Sequence, residues 1–221
     1  TMKLQDSRTI HRVIKIAVNK VYDEEYLREA RNYKIFKGKF PEFYEENVLK
    51  FYGTGMPNFA GEIQFEDDNG EQVMIGIPMK TIYEKRRFFV TEFNPEYVTM
   101  RAFLESVALR DNIEFRSFVY FTTLEKILKT AYEANQICSF THGYFHWDNV
   151  FVDTDREEKP ILFDFDFSSF GPKVEDKVMH GYGNIYLAKE YKSDNFEMKY
   201  TWYLDAIRMI FSMPAHGNNL L

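Results

Sequence analysis

The chain is most informative at first in what it lacks. It holds a single cysteine, Cys138, in 221 residues. No internal disulfide can form, and a reducing compartment is the natural home of such a composition. No apolar run approaches the roughly 18–20 residues that span a bilayer as a helix. The opening Thr1-Met2-Lys3-Leu4-Gln5-Asp6 is polar and does not read as a secretory leader. A cytoplasmic protein without a membrane partner is therefore expected. Positive charge is also in deficit: 28 Lys and Arg face 34 Asp and Glu, a net charge of −6. Nucleic-acid binding needs clustered cations over phosphates, so it is not the expected role. The short cluster Lys85-Arg86-Arg87 reads as a solvated loop. No internal repeat or low-complexity tract is present. No glycine precedes Gly38, so no glycine-rich loop opens the chain.

What is present is aromatic. The chain carries 22 Phe and 15 Tyr within an otherwise ordinary globular composition, 45% apolar and 28% charged. Rings in that number are expected chiefly inside. Tyr182, Tyr186, Tyr191, Tyr200, Trp202 and Tyr203 cluster late in the chain. They read either as core of a helical part or as a surface for a partner or a second copy.

The coarse pattern is α+β. Ile10–Val18 is β-branched and reads as a strand. Asp23–Lys37 reads as a helix with Asp23 as its cap, ended by Gly38 and Pro41. Strands follow at Gly61–Phe65 and Val73–Met79 around Asp67-Asp68-Asn69-Gly70, then at Arg87–Phe93. Beyond Pro95 the character turns helical, at Met100–Val107, Phe115–Cys138 and Thr201–Phe211, with short strands at Val150–Val152 and Ile161–Phe165. A boundary near Asn94–Tyr97 separates a β-rich 1–94 from a helix-rich 95–221, with a cleft expected between them.

The stretch with chemical content is Thr141–Gly171. It contains His142-Gly143-Tyr144-Phe145-His146-Trp147-Asp148-Asn149, and fifteen positions after Asn149 comes Asp164, closing the apolar run Ile161-Leu162-Phe163 and followed by Phe165. Two strands around a turn can bring Asn149 and Asp164 onto one divalent cation, and oxygen ligands suit Mg²⁺. Asp166 is either a further ligand or a solvated carboxylate.

These residues resemble the catalytic loop and metal-binding strand of the protein kinase superfamily, H-R-D-L-x-x-x-N followed by D-F-G. H-G-x-x-H-x-x-N is also similar to aminoglycoside-phosphotransferase-like and viral kinases, and His146-Trp147 through Val150 to haspin-type kinases. The resemblance implies a two-lobed kinase-like fold, a truncated N-lobe, and a short C-lobe like that of reduced viral kinase homologues. It implies ATP with Mg²⁺, or Mn²⁺, held at Asn149 and Asp164, and a structural role for His142. Val13-Ile14-Lys15 resembles the strand-borne lysine motif, implying a Lys15–Glu29 ion pair with Lys15 on the phosphates. Snorkelling by Lys15, a solvated Glu29, and the rival residues Lys20 and Glu25 are the alternatives. Glu46–Gly53 resembles the approach to the strand before the hinge. Phe89–Asn94 resembles the hinge itself, with Thr91 as gatekeeper and Glu92, Phe93 and Asn94 along the adenine. Asp205 is similar to the helix aspartate that anchors the catalytic-loop backbone, or else it is a plain surface carboxylate.

The departures from that pattern bear on activity. Tyr144 stands where the resemblance calls for the catalytic aspartate, and a phenol, ionising near pH ~10, is a poor proton acceptor at neutral pH. Asp148 does not replace it by register. His146 is a candidate base, because histidine titrates near neutrality. The glycine-rich loop expected before Lys15 is absent or lies outside this chain, and no A-P-E follows Asp164. A catalytically impaired pseudokinase is expected, acting through nucleotide, a protein partner or both. An active Ser/Thr protein kinase with an atypical loop is the alternative.

Overall fold

The computed structural model describes residues 12–17, 20–58, 62–66, 70–76, 86–110, 112–170 and 202–211. Its elements run β1 (Arg12–Ile16), α1 (Lys20–Lys39), α2 (Pro41–Asn47), β2 (Phe51–Gly55), β3 (Glu62–Glu66), β4 (Gln72–Gly76) and β5 (Phe88–Glu92). They continue as β6 (Tyr97–Thr99), α3 (Met100–Ala108), α4 (Ile113–Cys138), β7 (Phe140–Thr141), β8 (Val150–Asp153), β9 (Lys159–Leu162) and β10 (Ser169–Phe170). The last described element is α5 (Trp202–Phe211). This is an α+β chain, and no helix among the described residues is long and apolar enough to cross a membrane.

Contacts divide the chain into two compact units. One comprises Thr1–Leu27 with Lys50–Pro95, the other Arg28–Leu49 with Glu96–Leu221. The change near residue 95 sits where the sequence changes character. The segment Arg28–Leu49, however, belongs to the second unit and not to the β-rich part that the sequence suggested. The reason is its side chains. Tyr33, Phe36 and Tyr44 are buried, and Phe36 packs against Phe140, Phe165 and Phe170 of the second unit.

In the first unit β5 is central, with β1 and β2 antiparallel on either side of it. A central strand is covered on both faces, and β5 opens with Phe88, Phe89 and Val90 and is buried through Thr91. Alternation sends Phe88 and Val90 toward Ile63 and Phe65, and Phe89 toward Phe51 and Tyr26. The β3–β4 hairpin pairs Glu62 with Gly76 and Glu66 with Gln72. Residues 67–69 of its expected turn, and 77–79 of its expected second strand, lie outside the described residues.

Asp23 does not cap α1, which starts at Lys20. Its Oδ1 instead accepts the backbone N–H of Arg87, at 3.0 Å. Nor does Gly38 stop the helix, which runs on to Lys39. A new helix, α2, then begins with Pro41 in its first turn, where a missing N–H costs nothing.

In the second unit β6, β8 and β9 form an antiparallel sheet, and β7 pairs with β10. Helix α4 is capped by Asn112, whose side chain accepts from the Phe115 N–H, and it ends at Ser139 in the left-handed conformation (φ 51°). The interior is aromatic: Tyr33, Phe36, Phe140, Phe165 and Phe170 interlock with ring centroids 4.7–5.5 Å apart. Other rings stay exposed, notably Phe115, Phe118 and Phe121 on α4. Tyr182, Tyr186, Tyr191 and Tyr200 lie outside the described residues, as do the side chains of Trp202 and Tyr203.

Phe36 is fully buried at the centre of the ring cluster. Phe36→Ala is expected to cost about 3–5 kcal/mol of unfolding free energy. Urea denaturation followed by fluorescence checks this, and a loss below about 1 kcal/mol would show that the cluster is not the core of the unit.

Candidate functional site

The site residues of the second unit gather around the segment after β7. The chain leaves β7 at Thr141 and enters His142-Gly143 with no regular structure to satisfy its backbone. Asp205 on α5 supplies the missing acceptors. Its Oδ2 accepts the His142 N–H at 2.6 Å, and its Oδ1 accepts the Gly143 N–H at 3.0 Å. Asp205 is buried, not a surface carboxylate. Burial pushes its carboxyl up to about 6, against the pull of the two N–H groups and the Arg208 guanidinium. Arg208, one turn further along α5, donates to the Gly143 carbonyl. Gly143 has φ +79°, and a Cβ there would lie 2.2 Å from the Phe167 carbonyl oxygen. Only glycine permits that approach.

His142 is buried, and its Nε2 lies 2.9 Å from the Phe163 carbonyl. The imidazole therefore carries its hydrogen on Nε2 and donates it there, while Nδ1 is buried with no hydrogen-bond partner. Desolvation pushes the group down to about 4, so it is neutral near pH 7. The ring packs on Phe140, Phe145 and Phe165.

The rest of the loop is tied to itself. Tyr144 is half-buried, its ring edge-on to His146 at 4.5 Å and to Phe167 at 5.6 Å. Its carbonyl accepts from Asn149 Nδ2 at 3.1 Å. A carbonyl oxygen facing that carbonyl would be repelled, so the amide orientation is fixed and Asn149 Oδ1 is turned away as a ready oxygen ligand. His146 Nδ1 accepts the Asp148 N–H at 3.2 Å. That bond places the imidazole hydrogen on Nε2, and burial lowers the histidine's pKa. In this tautomer the Nδ1 lone pair is engaged within the loop, with the Asp148 carboxylate 3.8 Å away. Asp148 is held bidentately by Arg101 at 2.6 and 2.7 Å, which keeps its carboxyl ionised and below the usual range. Trp147 is buried against Tyr120 and donates to the Met209 carbonyl.

Asp164 follows β9 with φ 65°, in the left-handed region that L-residues other than Asn and Asp rarely adopt. Its N–H reaches the Tyr33 hydroxyl at 3.4 Å. Burial, and then the charges of Glu29 and Asp164, hold the Tyr33 phenol well above its ordinary range. The Asp164 charge also acts on His142 and His146. Tyr33 thus feels both Glu29 and Asp164, and Asp164 also acts on the two histidines. Among the described residues no group of three or more His, Cys, Asp or Glu is placed to hold a metal ion. Asn149 and Asp164 carry hard oxygen donors of the kind that Mg²⁺ takes.

The remaining candidates lie in the first unit. Lys15 is on β1 opposite Phe89 of β5, and its Nζ is 5.6 Å from the Phe89 ring centroid. Thr91 is buried on β5 opposite Val13 and Phe51. Glu92 ends β5, its N–H donating to the Lys50 carbonyl at 2.9 Å. Phe93 and Asn94 follow in irregular chain, Phe93 exposed. Lys15 and Glu29 fall in different units, and each is described within its own.

Several residues of the site were not singled out by sequence. Gly143 and Arg208 shape the loop, and Arg28 and Asn32 of α1 bond to the turn after Asp164. The one available signal was the His142-Gly143 pair, where a glycine sits in a motif otherwise built of large side chains.

Two outcomes are expected. Gly143→Ala forces a left-handed alanine against a backbone carbonyl and is expected to cost at least about 2 kcal/mol, read as a fall in melting temperature; an unchanged melting temperature would show that the loop can part from Phe167. The second concerns pH. His142 has a folded pKa of about 4, below the ~6.5 of an unfolded chain. In between, the unfolded state binds the extra proton. Its contribution is therefore full above pH ~6.5 and lost as pH falls toward 4, about 2 kcal/mol between pH 7 and 5. Asp205, raised to about 6, acts in the opposite sense and loses its contribution as pH rises from ~4 to 6. His142→Gln keeps an N–H near Nε2 and removes the titration. Its unfolding free energy is expected to rise from pH 7 to 5 under the Asp205 contribution alone, by about 2 kcal/mol relative to the wild type, in which the His142 loss offsets that rise; identical slopes would contradict the neutral buried imidazole.

No known protein-family model matches this chain, and no curated protein sequence matches it either.

Proposed function

We propose that the chain is a protein-kinase-like domain, impaired in phosphotransfer, that works by binding nucleotide, a protein partner or both. The observation that carries this reading is the contrast between Asn149 and Tyr144. The Asn149 amide donates to the Tyr144 carbonyl, leaving Oδ1 as a ligand, and Asp164 is held in an unusual conformer beside the same loop. Those features favour a metal-phosphate site. At the position of the proton acceptor there is a phenol, wedged edge-on between His146 and Phe167. The neighbouring polar groups are engaged elsewhere: Asp148 is bound by Arg101, and His146 Nδ1 accepts the Asp148 N–H.

In this reading Asn149 and Asp164 would hold Mg²⁺ or Mn²⁺, which would neutralise the phosphate charge of ATP. Lys15, paired with Glu29, steadies the phosphates, and the Thr91–Asn94 segment lies along the adenine. These roles rest on the sequence resemblance. The second reading is an active Ser/Thr protein kinase. It draws on the same Asn149 and Asp164, because much of phosphoryl transfer is alignment and charge neutralisation. In both, a cytoplasmic protein is the expected partner or substrate, and self-association is a further route to function.

Thermal melting with ATP, with and without Mg²⁺ or Mn²⁺, tests the shared part. A metal-dependent rise is expected; at a hundredfold excess over Kd it corresponds to about 2.7 kcal/mol. No rise under any condition sinks nucleotide binding in both readings. Tyr144→Asp separates them. It is expected to raise phosphate transfer at least tenfold over a barely detectable wild type, and full wild-type transfer that drops on this change favours the active kinase.

A further inference from the structure

Helix α1 presents Arg28, Asn32 and Phe36 at intervals of four, one stripe along its surface. All three meet the segment that follows Asp164. Arg28 Nε donates to the Asp166 carbonyl, and its guanidinium lies 5.8 Å from the Phe167 ring centroid. Phe36 packs on Phe165. Asn32, which is buried, places Nδ2 at 2.7 Å from the Phe165 carbonyl and 3.1 Å from the Ser168 carbonyl. A side-chain amide has two hydrogens, and both are spent on this turn. The turn closes on itself through the Ser168 N–H to the Phe165 carbonyl. The loop grips it as well: Ser168 Oγ donates to the His142 carbonyl at 2.8 Å, and the Phe167 carbonyl lies over Gly143.

We propose that Asn32 is a positioning residue that fixes the Phe165–Ser168 turn, and through it the left-handed conformer in which Asp164 presents its carboxylate to the metal. The metal part of this statement rests on the nucleotide-binding reading above. Left-handed backbone at an aspartate is unfavourable by itself, so something must hold it. The Tyr33 bond to the Asp164 N–H is long, at 3.4 Å. The two short bonds from Asn32 act on the carbonyl of the very next residue and on the far end of the turn. They are internal to the fold, so the backbone of the turn is held before any ligand arrives.

Asn32→Leu preserves the branched shape and removes both donors. Asn32→Asp preserves the shape and turns an oxygen on each carbonyl, and Asn32→Gln restores the amide on a longer arm. The full chain is measured in two ways: ATP affinity with and without Mn²⁺, and amide hydrogen exchange. For Asn32→Leu and Asn32→Asp, the gain in ATP affinity due to Mn²⁺ is expected to fall about tenfold or more, with affinity for ATP alone within about twofold of wild type. Exchange at Asp164 and Ser168 is expected to quicken by about a hundredfold, while that of the β8–β9 ladder stays as in the wild type. Asn32→Gln is expected to recover part of both. A purely structural role would lower the melting temperature and leave the Mn²⁺ gain and the local exchange untouched, which overturns the proposal. If the leucine variant does not fold, the same readouts on Asn32→Gln decide, since an arm one carbon longer must still shift both measurements partway. A wild type with no Mn²⁺ gain overturns the nucleotide reading and the metal role with it; local exchange in Asn32→Leu then decides whether Asn32 fixes the turn.

Discussion

The second unit is organised around one buried carboxylate. Asp205 receives two backbone N–H groups from His142 and Gly143, at a bend where no strand or helix provides acceptors. Buried backbone donors left alone are costly, and so is an unpaired buried carboxylate. Each resolves the other's problem. Once the bend is held, Gly143 can lie under the Phe167 carbonyl, and His142 can reach the Phe163 carbonyl from beneath. The loop, the strand end before Asp164 and the turn after it become one connected piece.

That piece explains how two polar halves of the site come apart chemically. Asn149 and Asp164 are each tied through nitrogen: the Asn149 amide donates to the Tyr144 carbonyl, and the Asp164 N–H to the Tyr33 hydroxyl. Tyr144, His146 and Asp148 have the reverse character. The phenol is boxed by rings, the imidazole accepts from its own loop, and the carboxylate is taken by Arg101. The polar groups of Asn149 and Asp164 and those of Tyr144, His146 and Asp148 are therefore neighbours with separate supports.

How far the sequence reading reached follows the range of the interactions. The β8–β9 pair, α4 and strands β1, β3, β4 and β5 have local signatures, β-branched runs or helical spacing, and were legible within a few residues, whereas β2, with two glycines in five residues, was read only as an approach to a strand. Asp205 was legible as a candidate from its Trp-Tyr-Leu-Asp context, but its burial was not. Helix α2 and the short strands β6, β7 and β10 were missed, being two to seven residues long with no period to detect. Asp23 fitted a cap by type and was drawn instead to the Arg87 backbone, a partner 64 positions away. Arg28 and Asn32 looked like ordinary polar positions on a helix. Their carbonyl partners lie 133 to 138 positions on, and no local pattern encodes such a pairing. The split at Leu27–Arg28 within α1 was invisible for the same reason.

The distance in sequence between Asp205 and the loop, 62 to 63 positions, sets an order of events during synthesis. Every residue of the His142–Asp164 motif leaves the ribosome before the helix that holds its bend. Until α5 arrives, the nascent chain has the full set of site side chains on a segment whose backbone donors face water. Long-range closure of this kind is slow compared with local structure. A chain interrupted before Asp205 would carry the whole motif yet lack its geometry, so the site is finished only by one of the last described helices to be made.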